Sequence, residues 1–262
     1  MDEVRVGSWS ELHERLFADA WREDLRRHRS PLAFRGRNDA DEDLRTSLAR
    51  LGGDPGALEG QLLRNFRKYA ARGAVPADSV WNWLALGQHH GLPTRLLDWT
   101  YSPYVALHFA TSDLAQIDRD GVVWLVDYAR THEQAPPELR RRLDAEGADV
   151  FTTEMLAEEA PSLGDLAGLG DGPFAAFVEP PSFDERIVNQ YALFSLVSDP
   201  ALALDEWLAV RPHLARRVVV PAGLKWEVRD KLDQANVTER VLFPGLDGLG
   251  AWLARYYLPR SG

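Results

Sequence analysis

Hydrophobic and polar positions change period several times along the chain. Ser8 and Glu11 form a capping-box-like start to an amphipathic helix spanning about 8–28. Leu58, Leu62, Phe66 and Tyr69 recur at helical spacing and predict a long helix from Asp54 to Arg72. "SVWNWLALGQHHG" predicts another, stopped at Gly91. Between these, "PLAFRGR" is an apolar run after a proline and suits a short buried strand. "DEDLRTSLARLGG" suits a loop and a helical turn closed by Gly52 and Gly53.

The second half is richer in strands. "TRLLDWT" predicts a strand that leads into a helix "SPYVALHFAT", with Ser102 as N-cap and Pro103 in its first turn. "GVVWLVDY", "FAAFVEPP" and "RRVVVPAG" predict strands, and "RIVNQYALFSLVSD" one or two more. Residues 131–175 mix Pro, Gly and acids and predict a variable insertion with short helices. "KWEVRDKLDQANV" and "LFPGLDGLGAWLARYY" predict the last two helices. The strands lie among helices without regular β-α-β alternation, which predicts an α+β fold rather than a doubly wound sheet.

Composition narrows the chemistry. Among 262 residues there are nine Trp and no Cys, so a substantial core is expected and thiolate chemistry is closed. A net charge of −10 argues against non-specific binding to a phosphate backbone. The Arg-rich run "REDLRRHR" alternates with acids and is expected as a solvated helix face. No signal peptide or membrane-length apolar run is visible, so the chain is expected to be cytoplasmic, with no membrane partner.

The polar groups at the joints carry the candidate chemistry. Arg35, beside Gly36 at the end of a buried strand, either grips a phosphate or carboxylate or forms a structural ion pair. Gly36 lacks a Cβ, which lets a ligand approach the backbone. Thr94, Arg95, Asp98, Thr100 and Ser102 alternate through a strand and its exits. Asp98, between Leu97 and Trp99, is expected to be partly buried and paired with Arg95 or Arg35. His89 and His90 are adjacent on a helix and so point apart, which argues against a metal site. Glu185, Arg186, Asn189 and Gln190 form a further polar set at a strand. There is no GxGxxG, Walker A, HExxH or GxSxG pattern. A nuclease or phosphoesterase built on His89, His90 and Asp98 is a third class of reading.

"FRG" at Phe34–Gly36, "QHHGLPTRLLDWTYSPYVALHFA" at Gln88–Ala110, "RIVNQYALF" at Arg186–Phe194 and "LFPGLDGLG" at Leu242–Gly250 together resemble the FRG domain family. The likeness runs over about 30–250, and one FRG domain is expected over residues 1–262. Ala192 stands where that family usually has Gly, which implies a different turn there. The order Arg35, then Leu97–Thr100 with "VALHFA", then Glu185–Gln190 also resembles the ADP-ribosyltransferases. That resemblance implies a mixed, mostly antiparallel split sheet with helices around it, and NAD as the substrate with no metal. It implies that Arg35 contacts the NAD phosphates or ribose, with Gly36, Thr94, Arg95, Thr100 and Ser102 around the dinucleotide. Glu185 or Gln190 would take the acidic position. No E-x-E pair is present, and His89 and Asp98 are the substitutes in the same cleft. The acceptor would be a protein or nucleic acid, and the setting a toxin or phage-defence effector with an antitoxin or defence-system partner. The alternative is a binding module that holds a nucleotide or partner without turnover.

Overall fold

The computed structural model describes residues 1–71 and 73–259. Ten strands form: β1 (Asp2–Arg5), β2 (Trp21–Arg22), β3 (Arg27–His28), β4 (Leu32–Arg37), β5 (Leu97–Thr100), β6 (Gly121–Asp127), β7 (Phe151–Thr152), β8 (Ala175–Glu179), β9 (Ala192–Val197) and β10 (Ala215–Val220). The helices of the first half are α1 (Trp9–Phe17), α2 (Ser47–Arg50), α3 (Pro55–Tyr69), α4 (Val80–His89) and α5 (Pro103–Thr111). Then come α6 (Tyr128–His132), α7 (Pro137–Glu146), α8 (Thr153–Glu159), α9 (Leu163–Gly168) and α10 (Glu185–Asn189). The last four are α11 (Leu204–Ala209), α12 (Ala222–Gln234), α13 (Glu239–Leu242) and α14 (Leu246–Tyr256).

Eight strands make one mixed sheet in the order β1-β10-β6-β4-β5-β9-β8-β7. The six inner strands pair antiparallel, and β1 and β7 add parallel strands at the edges. The fold is therefore α+β, as the scattered strand pattern predicts. Alternation along β6 sends Val122, Trp124 and Val126 to one apolar layer and Val123 and Leu125 to the other. The second layer is covered by α1, α5 and α12. A third cluster packs α4, α7 and α8 around Trp81, Phe151 and Leu156.

One junction in this sheet differs from the rest. β4 pairs with β6 over six positions, Leu32 to Arg37, but with β5 only at Phe34 and Thr100. Beyond Phe34 the two strands diverge, so Arg35–Arg37 and Leu97–Asp98 face each other across a gap. α5 presses against β4 on one side of it. A Cβ on Gly36 would stand 1.8 Å from the Ala106 carbonyl oxygen and 2.6 Å from the Ala110 nitrogen. The missing Cβ of Gly36 thus lets α5 pack against β4.

Several local expectations are corrected. The first helix ends at Phe17, and the Arg-rich run folds as the β2–β3 hairpin, turned at Arg26 with φ +50°. Trp21 and His28 meet edge-on at 5.1 Å across that hairpin, a cross-strand contact that a helix would have split. α3 ends at Tyr69, short of the expected Arg72, which lies outside the described residues. Residues 131–175 do hold short helices, α7, α8 and α9, and Leu139, Leu143, Phe151, Leu156 and Leu166 tie them into the core. The stretch expected to open a strand at 186–190 is instead α10. The left-handed turn that follows falls on Tyr191, with φ +48°, while Ala192 is an ordinary strand residue opposite Thr100. The expected closing helix starts only at Leu246, as α14, after Pro244 and Gly245, the latter with φ +109°, and the short α13 precedes them. Among the described residues no helix is long and apolar enough to cross a membrane.

Candidate functional site

The gap between β4 and β5 opens into a cavity of about 790 Å³. Its walls come from the end of β4, the end of α4, β5, and the α10–β9 turn. Arg35, Gly36, His89, Asp98, Thr100 and Gln190 all line it. Thr94, Arg95, Ser102 and Glu185 do not.

Arg35 spans the gap. Its Nη1 donates to the backbone carbonyl of Asp98, so a side chain bridges where the ladder has stopped. The Asp98 carboxylate lies 3.9 Å from the same nitrogen. Arg37, two residues on and therefore on the same strand face, pairs with Glu42 at the cavity wall. Burial pushes both guanidiniums below their ordinary range; for Arg37 the charges of Arg35 and Arg50 add to it, bringing it to about 10. On the opposite wall Arg186 lies over the Phe243 ring at 5.1 Å. The Nε of Arg35, of Arg37 and of Arg186 is in each case buried without a hydrogen-bond partner. Those atoms are sealed from the cavity, but three guanidiniums gathered at its walls favour an incoming anion.

Asp98 is the exposed carboxylate of the cleft, with 62% of its side chain accessible, not partly buried as expected. Its Oδ2 accepts from Gln88 Nε2 at 2.8 Å. Gln88 is itself oriented, because Thr94 Oγ1 donates to its Oε1 at 2.6 Å. Thr94 is fully buried, so it acts on the cleft through Gln88 and does not meet a ligand. Arg95 is not Asp98's partner: it is sealed in the core against Glu59, with Nε and Nη2 at 2.7 and 2.5 Å from Oε2. Thr100 lines the cavity, but its hydroxyl donates to the Gln190 carbonyl at 2.7 Å. Ser102 caps α5, its hydroxyl accepting from the Val105 N–H, and stands off the cavity. Glu185 is exposed in the first turn of α10 and sits on no strand. The Gln190 amide donates to the Leu242 carbonyl at 2.9 Å, tying the α10–β9 turn to α13.

His89 ends α4 and also lines the cavity, with 7% of its side chain exposed. Its Nε2 lies 2.7 Å from Oδ2 of Asp184, the N-cap of α10. Burial would push the Asp184 carboxyl up. The N–H of Ile187, the His89 ring and the N–H of Arg186 outweigh it and hold it below the usual carboxylate range. Behind the cavity, the buried Lys225 donates to the carbonyls of Asn38 at 2.7 Å and Gln116 at 2.9 Å, fixing two loops that line it. Among the described residues no group of three or more His, Asp or Glu side chains is arranged to hold a metal ion.

Arg37, Glu42, Gln88, Asp184 and Lys225 are site residues that the sequence reading did not assign. Arg37 had a readable signal, since a strand places i and i+2 on one face. Asp184 had another, an Asp directly before a helical turn. Lys225 had none, because only the fold brings it to the loops at 38 and 116.

Residues 30–119 match the FRG domain. The match holds the wall built by β4, α4, β5 and α5, with Arg35, Gln88, His89 and Asp98. The α10–β9 wall, with Asp184 and Arg186, lies beyond it. The match is shorter than the 30–250 likeness read from the motifs. No curated protein and no solved structure matches the chain.

Proposed function

We propose that the cleft binds NAD and that the chain is an ADP-ribosyltransferase-like enzyme, breaking the nicotinamide–ribose bond and passing ADP-ribose to an acceptor. The observation that carries this reading is the convergence of three arginines, Arg35, Arg37 and Arg186, on one cavity. A diphosphate is the anion whose spread charge and many acceptor oxygens suit several guanidiniums at once. A cavity of about 790 Å³ is of the size that holds a nucleotide-scale ligand. Trp99, Phe34, Phe109 and Phe194 give it apolar wall for rings.

Scission of the glycosidic bond passes through an oxocarbenium-like state. A carboxylate fixed beside the ribose stabilises that positive charge more than it stabilises the ground state. Asp98 is suited to this because Gln88 holds one oxygen and leaves the side chain open to the cleft. Glu185, exposed and off the cavity, is not assigned a part. The test is incubation with NAD and measurement of released nicotinamide, with wild type set against Arg35→Ala and Asp98→Asn. Release by wild type alone supports the reading, and no release by wild type overturns it.

A second reading is a module that holds the nucleotide without cleaving it. Its support is the scarcity of free acid: Glu42 is committed to Arg37, and the Gln190 amide is turned to Leu242. Stoichiometric ADP-ribose binding, lost in Arg35→Ala and with no nicotinamide release, would favour that reading.

A further inference from the structure

His89 and Asp184 come from separate parts of the chain, the end of α4 and the start of α10, and meet at 2.7 Å beside the cavity. Two features set this contact apart from an ordinary surface pair. The ring is nearly buried while its partner is half exposed, so the carboxylate is solvated and the imidazole is held. Asp184 is also fixed from behind, its Oδ1 accepting from the N–H groups of Arg186 at 2.9 Å and Ile187 at 3.2 Å. One oxygen therefore caps the helix and the other holds the histidine.

An ionised carboxylate can only accept, so the ring nitrogen facing it carries the proton. In the neutral ring the tautomer follows: Nε2 is protonated and Nδ1 keeps its lone pair. Nδ1 has no hydrogen-bond partner among the described residues and is not among the buried unpartnered atoms. An oriented imidazole with a free lone pair at a cavity wall has the arrangement of a general base. Asp98 stands on a different wall element, β5, so the two groups are separate devices.

We infer that His89, oriented by Asp184, is the base that takes the proton from the nucleophile which captures the ribose carbon. This rests on the NAD-cleaving reading above. With water as nucleophile, the ribose C1′–nitrogen bond breaks and its electron pair stays on the pyridine ring, giving neutral nicotinamide. The water oxygen bonds to C1′, and its proton passes to His89 Nδ1 and then to solvent. The products are ADP-ribose, nicotinamide and one proton. A hydroxyl or amine of an acceptor enters by the same route and loses its proton to the same atom. Asp184 touches no reacting atom and is a positioning residue.

The experiment measures nicotinamide release and ADP-ribose binding for wild type, His89→Ala, His89→Gln, Asp184→Asn and Asp184→Ser. The base predicts that both His89 variants lower kcat by about 10²- to 10⁴-fold while ADP-ribose still binds. It also predicts that added imidazole restores part of the rate to His89→Ala, which a structural role would not allow. Asn and Ser both keep the helix cap but lose the charge, and Ser also loses the reach to His89. Both should lower kcat about tenfold or more with KM little changed. His89 variants that keep the wild-type rate, or a slowed His89→Ala that imidazole leaves unchanged, overturn the base. Asp184→Asn at full rate overturns the positioning role. A wild type that releases no nicotinamide overturns the NAD-cleaving reading and this role together, so the two failures are distinguishable.

Discussion

Thr94 donates its hydroxyl to the Gln88 side-chain oxygen at 2.6 Å, and that single bond decides which way the Gln88 amide faces. With the oxygen occupied, the NH₂ group points to Asp98 Oδ2. Thr94→Val removes the donor and also the acceptor for the Leu96 N–H, which it now holds at 3.1 Å. The expected stability cost is about 1–3 kcal/mol for the groups left unpaired. If Asp98 acts at the ribose, kcat should fall about tenfold while ADP-ribose affinity changes little. Urea unfolding and nicotinamide release on the same preparation check both. An unchanged kcat would detach Thr94 and Gln88 from the chemistry.

Arg35 should trade stability for binding. Its buried Nε has no partner and burial depresses its pKa, so the fold holds this cation at a cost. Arg35→Met retains the apolar stem and loses one hydrogen bond to the Asp98 carbonyl. ADP-ribose binding should weaken by about 100-fold or more through loss of a charged donor, while the ligand-free thermal midpoint stays level or rises. Calorimetric titration and a melting curve read the two effects. A large fall in the midpoint would make Arg35 a structural group.

The elements carrying the β4 and β5 walls were legible because they announce themselves locally. Phe34 and Gly36 mark a buried strand end, Ser102 and Pro103 a helix start, and Gly91 a helix stop. The meeting of Arg35 with Asp98 was legible only as an expectation, since it depends on β4 and β5 pairing at one residue and then parting. Pairing register is a property of two segments 60 residues apart and leaves no mark in either. Arg95 was misassigned for a related reason. It sits three residues from Asp98, yet its partner is Glu59 on α3, which local spacing cannot indicate. Residues 186–190 suit a strand in sequence because the apolar run of β9 follows at once. The helix is set by the Asp184 cap and ended by the left-handed Tyr191.

The Arg95–Glu59 pair gives a direct stability prediction. Both side chains are sealed, and Arg95 Nη1 also donates to the Ser198 carbonyl at 2.9 Å. Removing one partner strands a charge in the core. Arg95→Leu should cost about 3–5 kcal/mol, read as a shift in the urea midpoint. A neutral effect would show that water reaches Glu59 once the arginine is gone.

Gly36→Ala tests the packing role of the glycine against a ligand role. The new methyl carbon would meet the Ala106 carbonyl at 1.8 Å, backbone that cannot yield without moving α5. A cost on the order of 3 kcal/mol or more is expected, with loss of soluble protein as an acceptable sign of it. Gly60→Ala is the control, because nothing lies within 4 Å of its added carbon and the site is on exposed α3. There helix propensity should add up to about 1 kcal/mol. A Gly36→Ala protein of normal stability that fails to bind ADP-ribose would restore the ligand role.

Acid should weaken the fold well before the carboxylates titrate, and the reason is two buried histidines. Burial pushes His132 down to about 4, partly opposed by its bond to the Asp149 carbonyl. His108 is pushed to about 3 by burial and by the charge of Arg229. His132 Nε2 accepts the Phe177 N–H at 2.8 Å, so protonation there would set two donors against each other. Both groups have a folded pKa below the ordinary value of 6.5, so the unfolded chain takes up protons that the native state refuses. Their contribution is fully present above about 6.5 and declines as pH falls toward 4 for His132 and 3 for His108. Each adds up to about 1.4 kcal/mol of lost stability per pH unit within its window. Urea unfolding at pH 7.5 and pH 5 should show the decline. His132→Gln can still accept from Phe177 but cannot titrate, so it should reduce the slope by about half while lowering stability at neutral pH only modestly. A slope that the variant leaves untouched would mean the imidazole is reached by water and titrates alike in both states.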